Sequence, residues 1–192
     1  WADGRVRAVG SGVSPCVGIA GDGVAARLEG VDGIDLIDRD AFLACTQDES
    51  IAETDGWGCD PDATAVLLFT SGTTGEPKAA VLRHRNLAAY LVSSLEFGAA
   101  GDDEAAVVSV PPYHIASVSS TLSTTYVGRR VVQLSSFEPQ AWVDAVRDEA
   151  VTHAMVVPTM LNRVLDVMEA QGETLPSLRS LAYGGGPMPH QV

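Results

Sequence analysis

Residues 64–87 read TAVLLFTSGTTGEPKAAVLRHRNL. The opening run, 65–69, is short and continuously apolar, as expected of a strand buried on both faces. A second apolar run covers 79–82 and reads as the next strand. Between them the nine residues 70–78 carry almost no bulk. Gly72 and Gly75 let the backbone turn its N–H groups inward and approach a ligand closely. Thr70, Ser71, Thr73 and Thr74 add hydroxyls and Lys78 an ammonium, donors that suit phosphate oxygens. Taken alone, a Ser/Thr/Gly run is more often a flexible surface loop. Two flanking strands, the lysine and the HRNL sequence behind it favour a loop that wraps a polyphosphate.

The Walker A loop does not fit. It requires G-x-x-x-x-G-K-[ST] opening straight into a helix, so that the helix N-terminus also faces the anion. Here a strand-like run follows Lys78, and the helix is expected only from Asn86, a suitable N-cap. Leu87, Leu91 and Leu95 then recur on one helical face, with Gly98 as the stop.

Further along, strands are expected over 105–110, 130–134, 154–157 and 178–183. Helices are expected over 113–126, from Pro139 with Trp142, Val146 and Ala150 on one face, and through Leu161, Val164, Leu165 and Met168 to Gly172. This alternation implies an α/β fold with a largely parallel sheet flanked by helices. Ligands of such sheets sit beyond the carboxyl ends of the strands. The hydroxyl-rich loop, 111–117 and 184–187 all fall at such ends, which argues for one shared site.

Residues 110–117, VPPYHIAS, put His114 just past a strand. A lone histidine is more often a structural hydrogen-bonding residue than a catalytic one. Gly184, Gly185, Gly186 and Pro187 follow the last strand. Three glycines permit positive φ and a flat ligand against bare backbone, although a plain turn into a helix begun by Pro187 reads equally from these residues.

Before residue 64 the pattern is faint. Strands are expected over 16–20 and 33–37, a short helix over 24–28, and an acidic linker over 48–62. Residues 18–23, GIAGDG, lack the spacing of a dinucleotide fingerprint and read as an ordinary strand-to-helix turn. The natural division is 1–63 and 64–192.

The 192 residues are 46% hydrophobic and 19% charged, a globular composition with ample length for a core. A net charge of −13, from 12 basic and 25 acidic residues, repels nucleic acid and anionic membranes. No run approaches the roughly 20 apolar residues of a transmembrane helix, and no signal peptide opens the chain. Cys16, Cys45 and Cys59 form no C-x-x-C pair and read as free thiols, so the cytoplasm is the expected compartment and no metal site is expected. The chain opens without methionine and stops where a helix is due, and is expected to be an internal piece of a longer enzyme.

TSGTTGEPKAAVLRHRNL resembles the phosphate-binding signature of the adenylate-forming superfamily, which includes acyl-CoA synthetases, peptide-synthetase adenylation domains and firefly-type luciferases. VPPYHIAS is similar to its second signature, with Ala116 and Ser117 where glycine is common. The triple glycine resembles its GGAP-type segment, with Gly186 in place of alanine or glutamate. The resemblance runs from about residue 64 to the end and favours the acyl-CoA synthetase branch, because peptide-synthetase modules carry a phenylalanine–aspartate pair near the histidine. It implies an incomplete portion of the superfamily's large N-terminal domain, lacking the mobile C-terminal domain. It also implies ATP, Mg²⁺ and coenzyme A as cofactors and co-substrates, and a small carboxylic acid, expected to be fatty, as substrate. Thr70, Ser71, Gly72, Thr73, Thr74, Gly75 and Lys78 would hold the phosphates. His114 would lie beside the acyl carboxylate, and Gly184, Gly185, Gly186 and Pro187 would border adenine. Lys78 and His114 are the expected catalytic residues. The alternatives are a module that loads a carrier protein and a nucleotide-binding fragment without catalysis. By itself the 192-residue piece is expected to be inactive.

Overall fold

The computed structural model describes residues 17–20, 26, 34–47, 60–70 and 78–186. The chain divides into two compact units, 1–60 with 69–80, and 61–68 with 81–192.

In the first unit, β1 (Val17–Ala20) and β2 (Asp35–Asp38) pair in parallel, close to where the apolar pattern puts them. A Cβ on Gly18 would lie 2.9 Å from Ile34 Cγ2 and 3.0 Å from Leu36 Cδ2. Packing between neighbouring strands therefore accounts for Gly18 without a nucleotide. Helix α1 (Arg39–Thr46) follows directly, a helix that the sequence pattern does not announce. Its one local signal is Asp38, whose carboxylate accepts from the Ala41 N–H at 2.8 Å as an N-cap. Of the helix expected over 24–28 only Ala26 is described, as helical, and the expected linker lies largely outside the described residues.

β3 (Thr64–Thr70) and β4 (Lys78–Arg83) form a two-stranded sheet. At its base the His84 N–H donates to Ala63 O and the Arg85 N–H to Pro61 O, at 3.2 and 3.0 Å. The end of β4 thus returns to the start of β3, as in an antiparallel hairpin. Both strands stand where the sequence puts them, but β3 is not buried on both faces. Residues 65–69 are half-buried and 78–81 exposed, because within the described residues each strand pairs only with the other.

Helix α2 (His84–Ser94) begins two residues before Asn86. Asn86 is not the N-cap but the third helical residue, and its Oδ1 accepts from the N–H of Arg83 at 2.9 Å. The cap position itself falls to Arg83, whose guanidinium has no acceptor to offer. Leu87, Leu91 and Leu95 are the half-buried positions among exposed neighbours, as their spacing requires. The helix closes at Leu95, three residues before Gly98, whose φ of +64° serves the following turn instead.

The second unit is built on a four-stranded parallel sheet in the order β6–β5–β7–β8: β5 (Ala105–Val108), β6 (Arg130–Gln133), β7 (His153–Val156) and β8 (Ser180–Tyr183). Helices α3 (Ile115–Tyr126), α4 (Pro139–Asp148) and α5 (Pro158–Gln171) make the crossovers. The chain moves from β5 outward to β6, then back across β5 to β7 and on to β8. Right-handed crossovers therefore put α3 on one face and α4 and α5 together on the other. The core lies under α4 and α5, where Trp142, Val143, Val146, Met160, Leu161 and Val164 cover Val107, Val151, Ala154 and Val156. Each fully buried valine or larger side chain contributes about 1.5–3 kcal/mol. Pro139 and Pro158 sit in the first turns of their helices, and Gly172 at φ +62° caps α5. Ala150 does not join the α4 face, because the helix stops at Asp148 and Ala150 turns the chain at φ +48°.

The amino edge of this sheet is held by polar groups. Thr152 Oγ1 accepts from the Ala105 N–H at 3.0 Å and donates to Ala105 O at 2.9 Å. His153 Nδ1 bonds the same hydroxyl at 2.8 Å and lies 3.8 Å from the Glu104 carboxylate, which Arg129 holds at 2.7 Å. Burial, and then the charge of Arg129, push the His153 imidazole below its ordinary value, while the bond from Arg129 holds Glu104 low. Unfolding raises both affinities for protons, so acid destabilises in two windows. Stability is expected to decline first as pH falls below about 6.5, from His153, and again below about 4.5, from Glu104. In thermal melts between pH 7 and 5, His153→Gln should flatten the first decline. An unchanged slope would contradict the assignment.

Candidate active site

Because β5 leads to β6 on one side and β7 leads to β8 on the other, the loops after β5 and β7 diverge. In sheets of this topology such divergence marks the carboxyl edge between the two strands as the usual ligand position. β5 ends at Val108, two residues short of the expected strand 105–110, although Ser109 and Val110 stay buried ahead of Pro111 and Pro112. The His114 N–H closes a turn onto Pro111 O at 3.0 Å. His114 then serves as N-cap residue of α3, with extended backbone (φ −103°, ψ 144°). Its side chain makes no capping bond and stays exposed beside the Tyr113 ring, centroids 4.9 Å apart. Ser117 is buried and Ala116 packs against the core, so the turn is anchored from below while its imidazole stays at the surface.

The triple glycine occupies the carboxyl end of β8. The Gly184 N–H donates to Val156 O at 3.2 Å, continuing the ladder past the strand. Gly185 has φ +82°, a conformation that demands glycine. A Cβ there would lie 3.4 Å from Val157 Cγ1, one on Gly184 3.7 Å from Met155 Cε, and one on Gly186 4.0 Å from Pro158 Cγ. These are ordinary contacts. The protein's own packing requires glycine only at Gly185, so alanine would fit at Gly186. Gly184 and Gly186 leave their backbone bare at the mouth of a parallel sheet.

His114 and Gly184–186 therefore belong to one edge of one sheet, with the β7 terminus between their strands. Val157 and Pro158, which lie against Gly185 and Gly186, join this edge although sequence reading gave them no site role. Their available signal was a proline closing an apolar strand. Thr70 ends β3 and exposed Lys78 begins β4, so they bracket the hydroxyl-rich loop. Ser71, Gly72, Thr73, Thr74 and Gly75 lie outside the described residues, as does Pro187.

The profile of a family described as AMP-binding enzyme matches residues 20–192. The chain belongs to that family. Among curated relatives, a feruloyl-CoA synthase from Amycolatopsis sp is 38% identical over 129 residues, which are 67% of this chain and 26% of the relative. A fatty acid–[acyl-carrier-protein] ligase, ScoC, from Streptomyces coeruleorubidus is 33% identical over 67% of this chain and 25% of its own length. A 2-succinylbenzoate–CoA ligase from Bacillus pumilus is 34% identical over 68% and 26% respectively. The matched stretch thus spans about a quarter of these relatives.

Among solved structures, the N-terminal domain of FACL13 from Mycobacterium tuberculosis superposes with a TM-score of 0.85 at 22% identity, covering all of this chain and 50% of that one. The o-succinylbenzoate CoA synthetase of Bacillus subtilis, determined with an acyl-adenylate intermediate, gives 0.77 at 23% identity, over 97% of this chain and 47% of that one. At these identities the likeness shows the fold, that of adenylate-forming N-terminal domains. It agrees with the parallel α/β architecture expected from the alternation of apolar runs. Among the described residues no helix is long and apolar enough to cross a membrane.

Proposed function

We propose that this chain carries the nucleotide- and acid-binding core of an enzyme that activates a carboxylic acid with ATP. The carboxylate oxygen attacks the α-phosphorus and the bond to the β-phosphate oxygen breaks. Acyl-adenylate and pyrophosphate result. In a second step the thiol of coenzyme A attacks the acyl carbonyl, loses its proton, and displaces AMP. The observation that carries this reading is TSGTTGEPK at residues 70–78, set between paired strands in a chain of the AMP-binding family.

A carboxylate approaching a polyphosphate is repelled, so catalysis is chiefly positioning and neutralisation of charge. Hydroxyls and N–H groups of 70–75 would hold the β- and γ-phosphates, and Lys78 would offset the charge developing on pyrophosphate. The glycines at 184–186 offer bare backbone to adenine, and His114 stands at the same sheet edge for the acyl carboxylate. Magnesium supplies further neutralisation when bound. It would take oxygens of the nucleotide's own phosphates, the hard donors that suit it.

The acid is proposed to be fatty or otherwise apolar. Among the relatives above, the fatty-acid ligase supports an apolar acid, while the feruloyl and 2-succinylbenzoate names point to an aromatic one. Transfer to a carrier protein is the second reading, favoured by the likeness to ScoC. ATP–pyrophosphate exchange by the full-length protein, run with fatty, ferulic and succinylbenzoic acids, tests the first step. Coenzyme A and a phosphopantetheinyl carrier protein are then offered separately as acceptors. Acid-dependent exchange is expected, and its absence with every acid would overturn the proposal.

A further inference from the structure

Neither turn length nor burial strongly fixes the register of the hairpin that brackets the proposed phosphate loop. A two-residue turn dictates pairing, but here seven residues, 71–77, separate the strands. Burial specifies register where one face is covered, yet β4 is largely exposed and β3 only half-buried. A constraint on it lies at the other end. Besides the two backbone bonds from His84 and Arg85, the Arg83 guanidinium donates to the carbonyl oxygen of Asp62. The Asp62 carboxylate pairs with Arg85, and Asn86 Oδ1 holds the Arg83 N–H at 2.9 Å. These bonds tie the start of β3, the end of β4 and the first turn of α2 into one knot.

Lys78 lies six residues before His84 and Thr70 seven after Ala63. At about 3.3 Å per extended residue, both reach the loop mouth at nearly the same height. A slip of one residue would shift Lys78 by that rise and turn it to the opposite face. We propose that Asp62, Arg83, Arg85 and Asn86 form a register clamp that positions Lys78 against Thr70 for the nucleotide's phosphates. They are positioning residues, acting through the strands, and the inference rests on the phosphate-loop reading above.

The test uses the full-length protein and ATP–pyrophosphate exchange, with KM for ATP and for the acid measured separately alongside thermal melting. Asp62→Ala and Asn86→Ala should each raise KM for ATP about threefold to fivefold, the upper range of one exposed ion pair and the typical worth of one cap bond, with KM for the acid unchanged. Asn86→Asp, which keeps the acceptor, and the swap Asp62→Arg with Arg85→Asp, which restores the pair, should return KM for ATP to within about twofold of wild type. Unchanged KM for ATP in both alanine variants would overturn the clamp. So would equal rises in both KM values with a lowered melting point, which mark general loosening. Lys78→Ala separates the two levels. If it lowers exchange while the clamp variants behave as wild type, only the clamp fails. If it too has no effect, the phosphate-loop reading fails with it.

Discussion

Lys78→Ala in the full-length protein is expected to lower ATP–pyrophosphate exchange about 10²–10³-fold, the usual loss when one positioned charge or donor is removed from a transition state. Acid binding should stay within about twofold, because the ammonium is proposed to face phosphate and not the acid. Lys78 opens β4 immediately after the hydroxyl-rich loop, and a strand gives it a more fixed position than the loop would. Negative charge moves onto the β-phosphate oxygen as its bond to the α-phosphorus breaks. A cation there is worth more in the transition state than in bound ATP, so kcat should fall more than KM for ATP rises. Lys78→Arg keeps the charge but spreads it over a planar fork, and should recover only part of the rate. Wild-type exchange in Lys78→Ala would remove the lysine from the chemistry.

The second large effect concerns stability. Trp142 is 1% exposed at the centre of the α4–α5 layer, beside Val143 and Val146. Trp142→Ala should cost about 3–5 kcal/mol, the range for emptying an aromatic site in a packed core. That approaches the whole stability of a marginal domain and should lower the melting point by roughly 10–15 °C. Among the described residues the indole Nε1 is buried without a hydrogen-bond partner. Trp142→Phe removes that orphaned donor along with part of the ring, so its loss should be well under half that of alanine. Equal losses would show that the indole N–H is satisfied after all.

The sheet was legible because its strands are short apolar runs closed by unmistakable punctuation. Pro139, Pro158 and Gly172 mark beginnings and an end where the structure has them, whereas β5 stops two residues short of the run that Pro111 was expected to close. Both ends of α2, read from Asn86 and Gly98, were misplaced. Asn86 looks like a cap but works from the third helical position, since the chain enters α2 straight from β4 with no intervening loop. Helix α1 escaped notice because no residue on it is buried, leaving no periodic apolar face to read. The candidate site was legible as motifs, not as a topology. Sequence shows His114 after one strand and three glycines after another, but not that β7 stands between those strands. Strand order depends on which crossovers pass over which neighbours, information spread across the whole unit. For the same reason Val157 and Pro158 looked like the end of a strand and gave no sign of a site role. The hairpin base was invisible because Asp62 and Arg85 lie 23 residues apart, with ordinary surface chemistry at both positions.

A structure of the full-length protein with a bound non-hydrolysable ATP analogue would weigh most. It should show β- and γ-phosphate oxygens within hydrogen-bonding distance of residues 70–75 and the Lys78 ammonium, with adenine against Gly184–186. A nucleotide seated elsewhere, or residues 70–78 filled by the protein's own side chains, would contradict the account.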